Sequence, residues 1–419
     1  VRHAIIAIST LYEDISCNGP EIKKRAPNRF ALLHYNNAVK KLMEVRHEPL
    51  VLVACLLFIC IEVLQDNRAD AVIHCRHGIT ILQRVQPTAL WSREHLAPMF
   101  QRLASLPILF GGGAAAESLN LPRAIPSTFA SFDEANYFIE DAVTRTLELS
   151  RRGDDYRCGL LLGQAVDPIL LETQKELKKT ITALRTPLLK LTERSLTVQQ
   201  GVSSVEREAQ CLLLQLRIEI STIWAGATLD PNETAYDAYL GKFRLMARLA
   251  KRLTMTTEQR NQDIGPKFRF EIGYLMLIHG IVIKCRHLAT RLEALQLVKS
   301  YGAARESFWD KDKMYQVDRR AIEMEHGLKL DDSDHPIGDV TGTDFPPNEK
   351  RILQTTFDTE SVIQGTVDGT LKTGCPLGFI MRDAEWNLYR QYEFIVVNEV
   401  SESISLGLVM GAYMTYWTD

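Results

Sequence analysis

The chain of 419 residues has no C-x-x-C pair, no apolar run long enough to cross a bilayer and no marked excess of charge of either sign. Each absence removes a class of protein. Its eight cysteines (Cys17, Cys55, Cys60, Cys75, Cys158, Cys211, Cys285 and Cys375) are scattered, mostly among apolar neighbours. They read as reduced, buried thiols of a nuclear or cytosolic protein, in place of a disulfide frame or a zinc module. The most apolar stretch, residues 50–61, ends at Glu62. A bilayer needs about 20 such residues, so it predicts a fully buried helix and no membrane contact. A formal charge of -3 supplies no broad positive field, so no direct nucleic acid contact is expected of this chain.

Catalytic signatures are also missing. The glycine triplet at 111–113 lacks the Lys-Ser or Lys-Thr ending of a phosphate loop, and there is no G-x-S-x-G, H-E-x-x-H or dinucleotide fingerprint. No signal peptide opens the chain: VRHAIIAIST reads as the middle of an amphipathic helix, so the sequence is expected to begin inside a longer protein.

What is present is helical periodicity. From residue 30 to 45, Phe30, Leu33, Ala38, Leu42 and Val45 recur largely at three- and four-residue steps among basic residues. The buried run at 50–61 and a second helix at 69–85 are separated only by Gln65, Asp66, Asn67 and Arg68, which predicts an antiparallel αα-hairpin. Capping-box spacing marks helix starts at Ser131 with Glu134 and at Ser203 with Glu206. Asp230, Pro231 and Glu233 read as a capping acid, a first-turn proline and a reciprocal acid, opening a helix that runs to about Arg252. In that helix Leu240, Phe243, Met246, Leu249 and Leu253 form one stripe, opposite a basic face of Arg244, Arg248, Lys251 and Arg252. The basic face is expected to be solvated.

Glycines and prolines mark a surface loop at 111–129, and a stronger break at 330–350. Beyond it, Asp368 and Gly369 form a two-residue turn signal for a β-hairpin, and Trp386, Leu388, Tyr392, Phe394 and Val396 alternate with mainly polar neighbours. The apolar tail at 404–417 is too short to span a membrane and reads as facing the core or a partner. The expected fold is therefore all-α. Stacked amphipathic helices and αα-hairpins, helical-repeat-like but without a fixed period, fill residues 1–327; a linker loop follows at 328–350, and 351–419 add a small antiparallel β element packed on the helical body.

Three clusters invite chemistry. Cys285, Arg286 and His287 lie in a row, but adjacent helical residues point about 100 degrees apart, so Cys285 and His287 do not share a metal-binding face. His74 and His77 have zinc-compatible spacing, but Arg76 and Arg84 add positive charge that disfavours a cation. Asp331, Asp332 and Asp334 invite comparison with the magnesium-binding motifs of all-α terpenoid synthases, yet they sit among helix breakers and read as a solvated loop. No catalytic, metal or cofactor-binding residue is assigned.

In five blocks the chain resembles the fungal-specific regulatory domain that follows the Zn(II)2Cys6 binuclear cluster in fungal transcription factors. The blocks are VRHAIIAISTLYE (1–13), ALLHYNNAVKKL (31–42), LVACLLFICIEVLQDNRADAVIHCRHGITIL (52–82), IPSTFASFDEANYFI (125–139) and the stretch 268–310. They occur in family order. In the last block the chain keeps Cys285, Arg286, Arg291, Ala294, Glu306 and Trp309 of the family pattern, with Leu292 and Ser307 where arginine and glycine are usual. The resemblance implies a helical, non-enzymatic regulatory region of a nuclear protein, with zinc expected only in an upstream cluster that this sequence does not contain. Coregulator proteins, a second copy of the chain and a small-molecule effector are the partners it implies. Arg286 and Glu306 are expected to form an internal ion pair fixing how successive helices meet. The rival readings are an enzyme of terpenoid-synthase type using Asp331, Asp332 and Asp334, and a structural helical scaffold.

Overall fold

The computed structural model describes residues 1–18, 28–85, 91, 95–111, 124–197, 204–258, 268–270, 273–338, 345–357, 363–367 and 370–396. Ser203, the 404–417 tail, and Asp368 with Gly369 lie outside them. Helices make up most of the described chain: α1 (Arg2–Asn18), α2 (Arg29–Leu42), α3 (Glu48–Leu64), α4 (Arg68–Val85), α5 (Ala97–Leu103), α6 (Ser105–Phe110), α7 (Phe132–Cys158), α8 (Pro168–Thr197), α9 (Ser204–Ala227), α10 (Leu240–Glu258), α11 (Tyr274–Lys284), α12 (Leu288–Lys299) and α13 (Lys311–His326). None of them is long and apolar enough to cross a membrane.

The first core forms around α3, whose apolar residues face all sides and are covered by α1, α2 and α4. Leu52, Ile59, Ile61 and Val63 are fully buried, each contributing roughly 1.5–3 kcal/mol by leaving water. The predicted αα-hairpin of α3 and α4 is present, turned by Asp66 in a left-handed conformation. Gly78 on α4 lets α5 approach closely, because a Cβ there would meet the Phe100 ring at 2.1 Å.

A second core joins α7, α8 and α9. Ser131 caps α7, accepting from Glu134 N at 3.2 Å, while the Glu134 carboxylate accepts from Ala130 N at 2.6 Å. On α8, Leu170, Leu177, Ile181, Leu184, Leu188 and Leu191 form the buried stripe at helical spacing. The third core lies between α9, α10, α11, α12 and α13, and α10 contributes the stripe predicted for it. Arg244, Arg248, Lys251 and Arg252 are exposed on its other side. Three two-residue strands, β1 (Phe268–Arg269), β2 (Arg305–Glu306) and β3 (Trp309–Asp310), clip this core to the first, where Phe268 and Phe308 are buried.

The start of α10 differs from expectation. Residues Glu233–Tyr239 form a 3-10 helix, and the α-helix begins only at Leu240. Asp230 accepts from Asn232 N at 2.8 Å in a local turn, and Glu233 is drawn into the interior instead of capping a helix.

The C-terminal sheet has strands β4 (Gln354–Phe357), β5 (Ile363–Val367), β6 (Thr370–Arg382) and β7 (Leu388–Val396), all antiparallel, with β6 paired to each of the others. Val367 pairs with Thr370, the register of a two-residue turn. The alternation that builds the core is that of β6. Cys375, Leu377, Phe379 and Met381 are buried, and the last three pack with Val317 and Ala321 of α13 and with Ile352. On β7 the expected inward position Tyr392 is 66% exposed, and Trp386 stands in the turn with the Arg382 guanidinium 4.4 Å from its ring centre. β7 lies at the sheet margin, so its alternation does not define a buried face.

The break at 330–350 is more than a solvated linker. Leu330 and Asp334 are buried, and Leu330 bridges to Pro336 in a compact turn.

Candidate functional site: a buried charge cluster

Arg286 stands where a helix stops. α11 ends at Lys284, Cys285 takes an extended conformation, and His287 starts α12 by accepting from Thr290 N at 3.3 Å. The segment 285–287 is therefore a break between two helices, so the face argument made for Cys285 and His287 as helical neighbours does not describe it. The break turns Arg286 inward, and its side chain enters the interior at 1% exposure.

The expected pairing of Arg286 with Glu306 is not formed. Arg286 instead meets Glu325 of α13 through Nε at 3.3 Å and Nη2 at 3.1 Å, and Glu233 Oε2 at 2.8 Å. It also donates to the carbonyls of Lys284 at 3.0 Å and Ile352 at 2.8 Å. Glu306 has another task. Its carboxylate accepts from the backbone N–H groups of Gly273 (2.7 Å), Tyr274 (3.1 Å) and Leu275 (3.2 Å), which are the unpaired donors at the start of α11, and from the Tyr301 hydroxyl at 2.7 Å. An acid at a helix N-terminus is satisfied there by donors and dipole, leaving no acceptor for Arg286.

Around Arg286 the charges converge from six parts of the chain. Glu233 receives Lys284 Nζ at 3.0 Å and Arg157 of α7. Glu325 receives Arg291 Nη1 at 2.5 Å, and Arg291 also donates to the Val282 carbonyl at 2.7 Å. The segment 346–353 threads the cluster: Ile352 N donates to Glu325 at 2.6 Å, the Leu353 carbonyl accepts from Lys284 at 2.9 Å, and Arg351 clamps Asp237 at 2.7 and 2.8 Å. Arg382 of β6 donates to the carbonyls of Pro231 and Arg157. Thus α7, the 3-10 helix, the α11–α12 break, α13, the 346–353 segment and the sheet are held at one point.

The protonation states follow from this crowding. Burial opposes ionisation of Glu233, but Lys284, Arg157 and Arg286 overcome it and hold the carboxyl down to about 2. Lys284 is pushed down to about 8 by burial and by the neighbouring Arg157 and Arg286, although Glu233 acts in the other direction. The two partners respond differently because three cations share one carboxylate. Glu325 is also lowered, against burial, by Arg286 and Arg291. Burial next to Arg291 lowers His326 to about 4. Chemically the cluster is a set of ion pairs whose every named partner is internal, and within it Arg157 Nε, Arg291 Nη2 and Glu325 Oε2 are buried without a hydrogen-bond partner.

The other candidates fare as follows. Asp331 and Asp332 are exposed, but Asp334, expected in solvent, is buried and receives Lys299 at 3.0 Å, Gln296 at 2.9 Å and Tyr315 at 2.5 Å. A carboxylate so held is a loop anchor. His74 lies 3.1 Å from the Tyr35 hydroxyl and 4.0 Å from Glu62, and no group of three metal-binding side chains gathers among the described residues.

Sequence reasoning missed Glu233, Arg157, Lys284 and Glu325. For Glu325 a signal existed: it falls on the stripe Met314, Val317, Ala321 of α13, an acid at an apolar position. Comparison with family models, with curated proteins and with solved structures found no match.

Proposed function

We propose that this chain is the non-catalytic regulatory region of a fungal zinc-cluster transcription factor, acting in the nucleus through contacts with coregulator proteins and through a small effector. One observation carries the reading. The residues that the sequence keeps from the family pattern fall in one structural unit: Cys285 and Ala294 lie in the third core, Arg286 and Arg291 converge on Glu325, Glu306 caps α11, and Trp309 packs on the same core. A pattern whose members all fix the mutual placement of helices suits a body that presents surfaces and switches between arrangements.

Two measurements test this. Residues immediately preceding Val1 in the gene should contain six cysteines at binuclear-cluster spacing. Fused behind a heterologous DNA-binding domain, residues 1–419 should change expression of a reporter relative to the DNA-binding domain alone; an unchanged reporter together with no upstream cluster removes the proposal. The terpenoid-synthase reading gains nothing from Asp334, which is held by Lys299, Gln296 and Tyr315. Specific, magnesium-dependent binding of a diphosphate probe would restore it.

A further inference from the structure

Strand β7 is paired on one side only. β4 and β5 lie along the opposite edge of β6, and among the described residues no strand pairs with the outer edge of β7. That edge is nine residues long, contains no proline and runs in unbroken register. A sheet margin of this kind is a template for a further strand. On the α13 side its one charged residue, Glu393, is held by Arg320 at 2.7 and 2.8 Å, so no unpaired charge guards it there.

The ladder decides which groups are open. The Ile380 carbonyl accepts from Leu353 N at 2.9 Å on the β4 side, so Ile380 and Arg390 are not a hydrogen-bonded pair. Bonded and non-bonded pairs alternate along an antiparallel ladder, so Arg390, Tyr392 and Phe394 direct their backbone N–H and C=O groups to the outer edge. Tyr389 and Gln391 lie opposite Met381 and Phe379, so their side chains face α13. There they line a groove of ≈ 700 Å³ together with Met324, Leu328, Ile337 and Met381. Ile337 is 62% and Tyr389 42% exposed, so apolar surface meets water beside an open hydrogen-bonding edge.

We infer that the edge of β7 and this groove take residues 404–412 of the same chain as their occupant. Residues 397–419 follow β7 directly and lie outside the described residues. In the sequence Ile404, Leu406, Leu408, Met410 and Ala412 alternate with Ser405, Gly407, Val409 and Gly411, the period that suits a strand with one apolar face. The alternation also selects the register. With Met410 opposite Gln391, Leu408 falls opposite Glu393 and Ala412 opposite Tyr389, and the apolar set enters the groove; a shift of one residue would turn it to solvent. The intervening residues 398–403 reach up to about 20 Å, while neighbouring strands are about 5 Å apart. So short a tether holds the segment at an effective concentration on the order of millimolar, which favours it over a second copy or a separate peptide.

Disulfide trapping in the full chain tests this, with linked peptides identified by mass spectrometry. The pair Gln391→Cys with Met410→Cys should close within one chain under mild oxidation, at least about tenfold more than Gln391→Cys with Val409→Cys, which points to the other face. Equal yields, no link at Met410, or links only between chains overturn the proposal; the last outcome would assign the edge to a second copy. Hydrogen exchange gives an independent reading. The Arg390, Tyr392 and Phe394 amides should exchange at least about tenfold faster in Leu408→Asp than in the unaltered chain, with α3 unchanged, and equal rates at these amides count against the pairing. The inference goes beyond the regulatory reading and does not rest on it, so its failure leaves the reporter test untouched.

Discussion

Glu62 and Glu233 are both 2% exposed, yet their carboxyls are shifted in opposite directions. Glu62 sits in the apolar α3, where burial raises it and the Tyr35 hydroxyl and Asn67 amide only partly compensate. Glu233 sits among Lys284, Arg157 and Arg286 and is held down to about 2. The difference separates two ways of building a core. Around α3, cohesion comes from apolar surface, and burial shifts one acid toward its neutral form; around Arg286, cohesion depends on charges that must stay ionised together.

The sharpest way to break the comparison is to neutralise each acid. Glu233→Gln leaves three buried cations facing a neutral amide, and its expected cost is about 3–5 kcal/mol, the range for breaking a buried ion pair. Glu62→Gln removes no ion pair of that kind, and its cost should be about 1 kcal/mol from one mismatched hydrogen bond. Urea unfolding of both variants at neutral pH measures this. Equal losses would mean that the charges around Arg286 are not what holds the six segments together.

Acid supplies the next contrast. Glu233 has a folded-state value below its ordinary 4.5, so its contribution is complete above 4.5 and is lost as pH falls toward about 2; for a fully buried group that is on the order of 3 kcal/mol. His326 is lowered from 6.5 to about 4, so the unfolded chain binds its proton more readily, and stability falls as pH drops from 6.5 to about 4. Stability measured against pH should therefore show two successive losses. Glu233→Gln should flatten the lower one and keep the upper; His326→Gln should do the reverse.

These two cores were unequally legible in the sequence. The buried helix at 50–61, its hairpin partner and the α10 stripe follow from periodicity over neighbouring residues. The charge cluster does not, because Arg157, Glu233, Arg286, Glu325 and Arg351 are brought together only by the packing of distant elements. Arg286 could be read as a buried ion-pair member because its neighbours are apolar. Its partner could not: the pairing with Glu306 followed the family pattern, whereas Glu306 stands at the N-terminus of α11 and Arg286 meets Glu325 of α13. Glu233 was misread for a related reason, since a proline followed by an acid describes a helix start whether the acid turns back to the cap or inward.

The same limit operates on a smaller scale within the acid-rich turn, where neighbouring aspartates have unlike surroundings. Asp334 is buried, takes a left-handed backbone conformation at φ 62, and accepts from Lys299, Gln296 and Tyr315, with Arg319 at 3.5 Å. Asp332 is exposed, and it is its backbone carbonyl that Lys299 reaches, at 3.0 Å. Replacement by asparagine keeps the side-chain size and tolerates the left-handed backbone, so it isolates the charge. Asp334→Asn should cost about 1–3 kcal/mol, as the hydrogen bonds from Lys299, Gln296 and Tyr315 and the ion pair with Arg319 weaken together. Asp332→Asn should stay within about 0.5 kcal/mol, as for most surface substitutions. Thermal melts of the pair decide whether this segment is a solvated loop throughout or a loop pinned at one residue, and a loss at Asp332 as large as that at Asp334 would remove the distinction.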